Sequence, residues 1–300
     1  MKHFLILLGL MLVSFPITTF APEARPKIVG LYSVIIRASS LDKTTEFYGE
    51  TLRLPTDRQC VIPGSKCFRT SLWQRIEIVE GNASPSGSMI EAVAFQTNNA
   101  RALRSYLTAS GLSPTKIRTN ICGSYESFEI TDPESRRMIF ISTHFGVAGT
   151  VHPAEISNRT IHTGFVVNDR AAADHFYKDI LGFRPYWHGG MKDDKDDWVA
   201  MQVPDGTDWI EYMLNISPNA DHHTLGVMNH IALGVNDIHA TEKQLIANGW
   251  KPTEEPKLGR DGKWQLNLYD PDDTRTEFME FKPAQEPCCS AFTGPHPGPK

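Results

Sequence analysis

The 300-residue chain has no basic run, no Cys-x-x-Cys pair and no apolar stretch long enough to span a bilayer. Each absence removes a class of function. With a net charge of −5 and no basic face, the chain offers no electrostatic footprint for nucleic acid. Without cysteines at ligand spacing, a thiolate zinc site is disfavoured. What remains is ordinary globular composition, 40% hydrophobic and 22% charged, with length for about two domains.

The N-terminus is the exception to that plain composition. "MKHFLILLGLMLVSFPITTFA" opens with a basic residue and runs apolar from Phe4 to Val13. That run is too short to span a membrane and suits the core of an export signal, cut after Ala21 or Ala24, or retained as an anchor. Residues 1–24 are therefore expected to be a signal peptide or N-terminal anchor, the folded part to be exported (periplasmic or secreted), and no other membrane contact is expected. In an exported chain Cys60 and Cys67, which flank "VIPGSK", can close that turn as a disulfide. Cys122 would then be free and buried. Cys288 and Cys289 lie in a Pro/Gly-rich tail, 284–300, whose composition reads as disordered.

The chain repeats itself. "SVIIRASSLDKTTEFYGETLRLP" and "HTGFVVNDRAAADHFYKDILGFRP" share a strand, a turn with Asp, an amphipathic helix ending in a Phe-Tyr pair, and a Leu-rich exit. "EITDPESRRMIFI" and "NLYDPDDTRTEFMEF" share strand, Asp-Pro turn and strand, the mark of a hairpin. The period is about 120 residues, and each repeat is itself double. The expected fold is α+β: tandem paired βαβββ units, each pair forming a curved mixed sheet. Domains are expected over 31–145 and 158–283, joined by a linker near 145–158.

Strand alternation then sorts the polar residues. In "HTGFVV", Phe165 and Val167 belong on the helix side and His162 faces away. In "NHIALGV", Ile231, Leu233 and Val235 face the helix and His230 does not. Glu211 opposes Ile210 and Tyr212, and Glu277 opposes Phe278. Four strands, the first and last of two equivalent units, thus each offer one ligand-type side chain to a shared cup. Two imidazoles and two carboxylates suit one divalent transition ion, and zinc, nickel, manganese and iron all accept that donor set. Trp209 and Met213 share Glu211's face. Lys263, Gln265, Asn267 and Tyr269 share one alternation and are candidate substrate contacts. Asp221-His222-His223 reads as a solvated loop between units. "MKDDKDD" (191–197) reads as a solvated loop or a lid; it lacks EF-hand spacing.

The whole pattern resembles the vicinal-oxygen-chelate superfamily, which includes glyoxalase I, extradiol dioxygenases and bleomycin resistance proteins. "HTGFVVNDRAAADHFYKDILGF" is similar to the opening of glyoxalase I, and "YDPDDTRTEF" to the family's closing hairpin, with Asp273 at the usual glycine. The resemblance is close over 160–282 and looser over 31–143. It implies that His162, Glu211, His230 and Glu277 bind the metal. In the first repeat the matching positions read as Ser33, Glu77, Glu91 and Ile139, so 31–145 is expected to be a metal-free partner domain.

Such a cup binds two neighbouring oxygens of a small-molecule substrate, and the ion stabilises a developing enolate. A carboxylate moves the proton at the adjacent carbon. Glu277 is the expected shuttle, with Glu211 the other catalytic candidate, as in the lyase and isomerase branch. The alternative is a ring-cleaving extradiol dioxygenase using only His162, His230 and Glu277. That branch carries a further histidine before the closing hairpin, and "LGRDGKWQLNLYDP" has none. A non-catalytic small-molecule binder is the third reading. The sequence leaves the substrate and the oligomeric state open.

Overall fold

The computed structural model describes residues 24–58, 60–84, 86–120, 125–143 and 156–299. Residues 1–23 of the expected signal peptide or anchor, Cys122 and most of the linker lie outside the described residues.

Two eight-stranded mixed sheets form the molecule. The first holds β1 (Ile28–Ala38), β2 (Thr56–Asp57), β3 (Lys66–Arg69), β4 (Arg75–Glu80), β5 (Ile90–Thr97), β6 (Arg118–Thr119), β7 (Tyr125–Thr131) and β8 (Arg137–Thr143). The second holds β9 (Thr160–Val166), β10 (Arg184–Gly189), β11 (Trp198–Gln202), β12 (Trp209–Met213), β13 (His230–Val235), β14 (Lys257–Leu258), β15 (Trp264–Tyr269) and β16 (Arg275–Glu280). Both sheets have one order, β2-β3-β4-β1-β5-β8-β7-β6 and β10-β11-β12-β9-β13-β16-β15-β14. The first and last strands of each βαβββ unit pair in parallel, and the two units of a sheet meet antiparallel along β1–β5 and β9–β13. The α+β fold of tandem βαβββ pairs is therefore present.

The helices are few and begin where the sequence supplies a cap. Asn99 caps α2 (Ala100–Ala109) and Asp237 caps α5 (Ile238–Ala247), each side chain accepting an N–H from three residues on. α5 stops at Asn248, and Gly249 follows at φ +101°, which only glycine adopts without strain. Asp221 likewise caps a short helix, α4 (His222–Met228), where the composition reads as a loop. The two Phe-Tyr helices do not end at their aromatic pairs. α1 (Leu41–Glu46) runs on as a wider π turn through Thr51, and α3 (Arg170–Ala173) through Ile180.

Those wide turns carry Tyr48 and Tyr177, both fully buried, and each reaches into the other domain. Tyr177 donates to Asp132 in the β7–β8 hairpin at 3.0 Å, and Tyr48 to Asp270 in the β15–β16 hairpin at 3.4 Å. The Phe-Tyr pair and the Asp-Pro turn of the repeat are thus two halves of one reciprocal clasp. Ser135 and Asp273 close these hairpins at φ +66° and +62°, left-handed positions taken without glycine. The helix-facing residues of both sheets merge into one apolar core, in which Phe95 meets Phe183 edge-to-face at 5.5 Å. The opposite faces form two separate clusters, one per sheet.

The tail corrects the sequence reading. Residues 284–299 lie as a strap along β10 instead of being disordered. Trp187 donates its indole N–H to the Cys288 carbonyl, Ser290 bonds the backbone of His188 in both directions, and Thr293 bonds the carbonyls of Pro185 and Tyr186. A low-hydrophobicity segment cannot order itself, but it can complete an edge strand that offers unpaired N–H and C=O groups.

Candidate metal centre

The register brings four central strands side by side: β12, β9, β13 and β16. Glu211 lies opposite Gly164 across β12–β9, His230 opposite the same Gly164 across β13–β9, and Ala232 opposite both His162 and Glu277. His162, Glu211, His230 and Glu277 therefore project from neighbouring strands into one cup. The two Nε2 atoms are 3.0 Å apart. A Glu277 carboxylate oxygen is 3.4 Å from His162 Nε2 and 3.7 Å from His230 Nε2, and a Glu211 oxygen is 3.9 and 3.4 Å from the same atoms. The ligand atoms of His162, His230 and Glu277 all lie within 4.8 Å of one another, a group that Glu211 does not join.

These spacings fit a bound transition ion. Ligands about 2.1 Å from a metal sit about 3.0 Å apart in octahedral and about 3.4 Å apart in tetrahedral geometry. Both imidazoles are fully buried. His230 Nδ1 faces the Met228 carbonyl at 3.1 Å, which favours a proton there and leaves Nε2 as a lone-pair donor. Burial, then the charge of Arg275, pushes the His230 imidazolium far below its ordinary range, so it stands neutral, as a ligand must. Burial pushes the Glu211 carboxyl up. Burial would do the same to Glu277, but the charge of Arg275 and the hydrogen bond with His162 outweigh it and hold Glu277 down to about 2.

Gly164 makes the cup possible. A Cβ there would overlap the His230 ring, which occupies the space over this residue. Trp209 stacks on His162 at 4.6 Å and fixes its plane.

A cavity of about 310 Å³ opens over Glu211 and Glu277. Met213 and Gln265 line it. The other four candidate contacts do not. Trp209 stands behind His162. Lys263 is buried over the faces of Trp209, Tyr186 and the strap's Phe292, at 4.7, 5.5 and 5.3 Å from the ring centres. Burial lowers Lys263 to about 8. Asn267 and Tyr269 turn to Glu254, at 3.0 and 2.6 Å. Met191 of the acidic 191–197 loop reaches the cavity, and Asp193 ties that loop to Arg260. His222 and His223 lie apart from the cup, against Asp272 and Asp273. The sequence reading passed over Gly164 and Arg275, yet Arg275 shares Glu277's alternation, two residues upstream.

The first sheet places other residues in the same register. Ser33 corresponds to His162, Ile35 to Gly164, Glu77 to Glu211 and Ile139 to Glu277. The partner of His230 is Ala92, not Glu91. The register shifts between Ile35 and Ile36, and Glu91 falls one residue off, paired with Arg37 and Arg137. Ile35, Ala92, Ala94 and Ile139 fill this cup, with Val61 and Ile62 packed on top. Glu77 accepts the N–H groups of Val61 and Ile62 and the Ser65 hydroxyl, and the Cys60–Cys67 disulfide closes that loop.

Residues 159–278 match the family model described as Glyoxalase/Bleomycin resistance protein/Dioxygenase superfamily. A lactoylglutathione lyase of Haemophilus influenzae is 31% identical over 124 residues, 41% of this chain and 92% of that protein. A probable chloroplastic lactoylglutathione lyase of Arabidopsis thaliana is 24% identical over 138 residues; the match spans 45% of this chain and only 39% of that protein. Among solved structures, the 2,3-dioxygenase LapB from a Pseudomonas species aligns over 92% of this chain and 96% of its own, at TM-score 0.69 and 15% identity. Homoprotocatechuate 2,3-dioxygenase from Brevibacterium fuscum aligns over 90% and 74%, at TM-score 0.66 and 17% identity. The fold is thus the tandem architecture of the ring-cleaving dioxygenases. The chain belongs to the glyoxalase/bleomycin resistance protein/dioxygenase superfamily, and its second domain is similar in sequence to lactoylglutathione lyases.

Proposed function

We propose that the protein is a divalent-metal-dependent lyase or isomerase of the glyoxalase type, acting on a small molecule with two adjacent oxygens. The observation that carries this reading is Glu211: its carboxylate lies within 3.9 Å of both imidazole Nε2 atoms, as that of Glu277 does, so two carboxylates flank one imidazole pair. A divalent ion bound there by His162, Glu211, His230 and Glu277 supplies Lewis-acid polarisation of substrate oxygens. The protein's own residues do the rest. Glu277, whose carboxylate faces both imidazoles, is the group to accept a proton from the carbon beside those oxygens and return it. Trp209 and the Met228 carbonyl keep the two rings in place. Trp187, Trp198, Met213 and Met279 give the carbon that reacts an apolar wall. The sequence similarity to a lactoylglutathione lyase supports this branch.

The second reading, an extradiol dioxygenase, is favoured by the compact His162, His230, Glu277 trio and by the tandem fold. One variant separates the two. Outer-shell partners of a metal are worth about 10–100-fold in affinity, so Glu211→Ala should weaken metal binding by at least that much if Glu211 is a ligand, and turnover should proceed without oxygen. Metal content unchanged in Glu211→Ala, with activity lost in anaerobic buffer, would favour the dioxygenase. The apolar N-terminal run further supports export of the chain, which cell fractionation tests directly.

A further inference from the structure

We propose that Arg275 is an anion receptor in the floor of the cavity, selecting substrates that carry a carboxylate beyond their pair of chelating oxygens. This deepens the metal-dependent reading above and rests on it.

Three observations converge. Arg275 lines the cavity beside Glu277, and its Nε is buried with no hydrogen-bond partner. A buried guanidinium N–H left without an acceptor costs free energy unless a ligand completes it. Second, the other cations of the cavity wall are already answered. Lys257 pairs with Glu254 at 3.1 Å and Arg260 with Asp193. Arg275 makes no ion pair within the described residues. The two carboxylates of the cup offset a divalent ion, so Arg275 is the uncompensated charge when the metal is bound. Third, the guanidinium fork matches a carboxylate in two parallel hydrogen bonds.

The strand sets the spacing. Arg275 and Glu277 are two residues apart on β16, about 7 Å along the strand. That is the length of a six-membered ring between the chelating oxygens and the anion. The stacked Trp187 and Trp198, 14° from parallel, give such a ring an apolar wall. The cavity's 310 Å³ is at the small end of ligand sites.

The test uses two hydroxamates, which chelate metal through adjacent oxygens: para-carboxybenzohydroxamate and its neutral para-carboxamide. Binding to the zinc-loaded protein is read by calorimetry and by tryptophan fluorescence, with zinc content measured alongside. The wild type should prefer the carboxylate by about ten- to a hundredfold, the worth of a charge-assisted pair. Arg275→Met should lose that preference while keeping its zinc and its affinity for the carboxamide; Arg275→Lys should retain part of it. Equal affinities in the wild type, or a preference that survives Arg275→Met, would overturn the receptor. So would an Arg275→Met protein whose only change is its zinc affinity, since Arg275 would then act on Glu277 alone. A zinc-loaded chain indifferent to the carboxylate overturns the receptor and leaves the metal-dependent reading intact. A chain that takes up no zinc, yet prefers the carboxylate in an Arg275-dependent way, does the reverse.

Discussion

The two sheets share one strand order and one register, and they differ in what fills their concave faces. In the second, Gly164 leaves the room that the His230 ring takes. In the first, Ile35 fills that room and faces only Ala92. Glu77 and Glu211 sit at the same place in the two frames. One carboxylate faces two imidazoles, and the other is tied down by the backbone of the loop that covers it. Identical residues at identical register thus do unrelated jobs, because the neighbouring volumes decide what a carboxylate can reach. Side-chain size across one strand pair separates a cup that gathers two imidazoles and two carboxylates from a cup that is only a core.

The strongest break in this contrast should come from the glycine. Gly164→Ala is expected to be as damaging to metal content as His230→Ala, although it removes no ligand. The added methyl overlaps the imidazole and displaces it. Metal analysis of the purified variants checks this; stoichiometric metal in either would show that the His230 ring over Gly164 is not needed to hold the ion.

The first cup should respond in the opposite way. Glu77→Ala leaves the part-buried N–H groups of Val61 and Ile62 without their charged acceptor, a loss of about 1.5–3 kcal/mol for a hydrogen bond of this kind. Denaturant unfolding should register that loss, while metal content stays at the wild-type level. A fall in metal would mean that the two cups are coupled.

The smallest effect sharpens the clasp. Asp132 has Arg136 beside it at 2.7 Å, and at the matching place Asp270 has Thr274. Burial without a cation raises Asp270 to about 7. A carboxyl whose folded value is raised contributes stability below its ordinary value of 3.8, and that stability is lost as pH rises through about 7. Between pH 5 and pH 8 the melting temperature should therefore fall less in Asp270→Asn than in the wild type. An unchanged slope would place the titration elsewhere.

Much of this was legible in the sequence, and the reasons are local. Alternation along a strand separates His162 from Phe165, and an Asp-Pro pair marks a hairpin wherever it occurs. What escaped depends on pairing between strands. A one-residue slip turns a side chain to another place, and the shift beside Ile36 is why Glu91 reads as a ligand position that Ala92 in fact occupies. The strap escaped because its order is lent by β10. Arg275 escaped because the meaning of a charged residue lies in its lack of partners, which no sequence displays.

The Gly164–His230 and Ile35–Ala92 pairs also constrain how one cup could descend from the other after a duplication. Two substitutions separate them, and their order matters. Isoleucine opposite histidine would displace the ring from its place, because even a methyl overlaps it. Glycine with alanine can, at the cost of a void that takes a few kcal/mol from stability, about what a large-to-small core change takes. The passable route surrenders the imidazole first and fills the hole afterwards. Once isoleucine is in, a histidine arriving opposite it meets a wall, so the change works as a ratchet. A cup that houses the imidazole can become a core by two tolerable steps, and regaining the imidazole requires reopening the hole before there is anything to put in it.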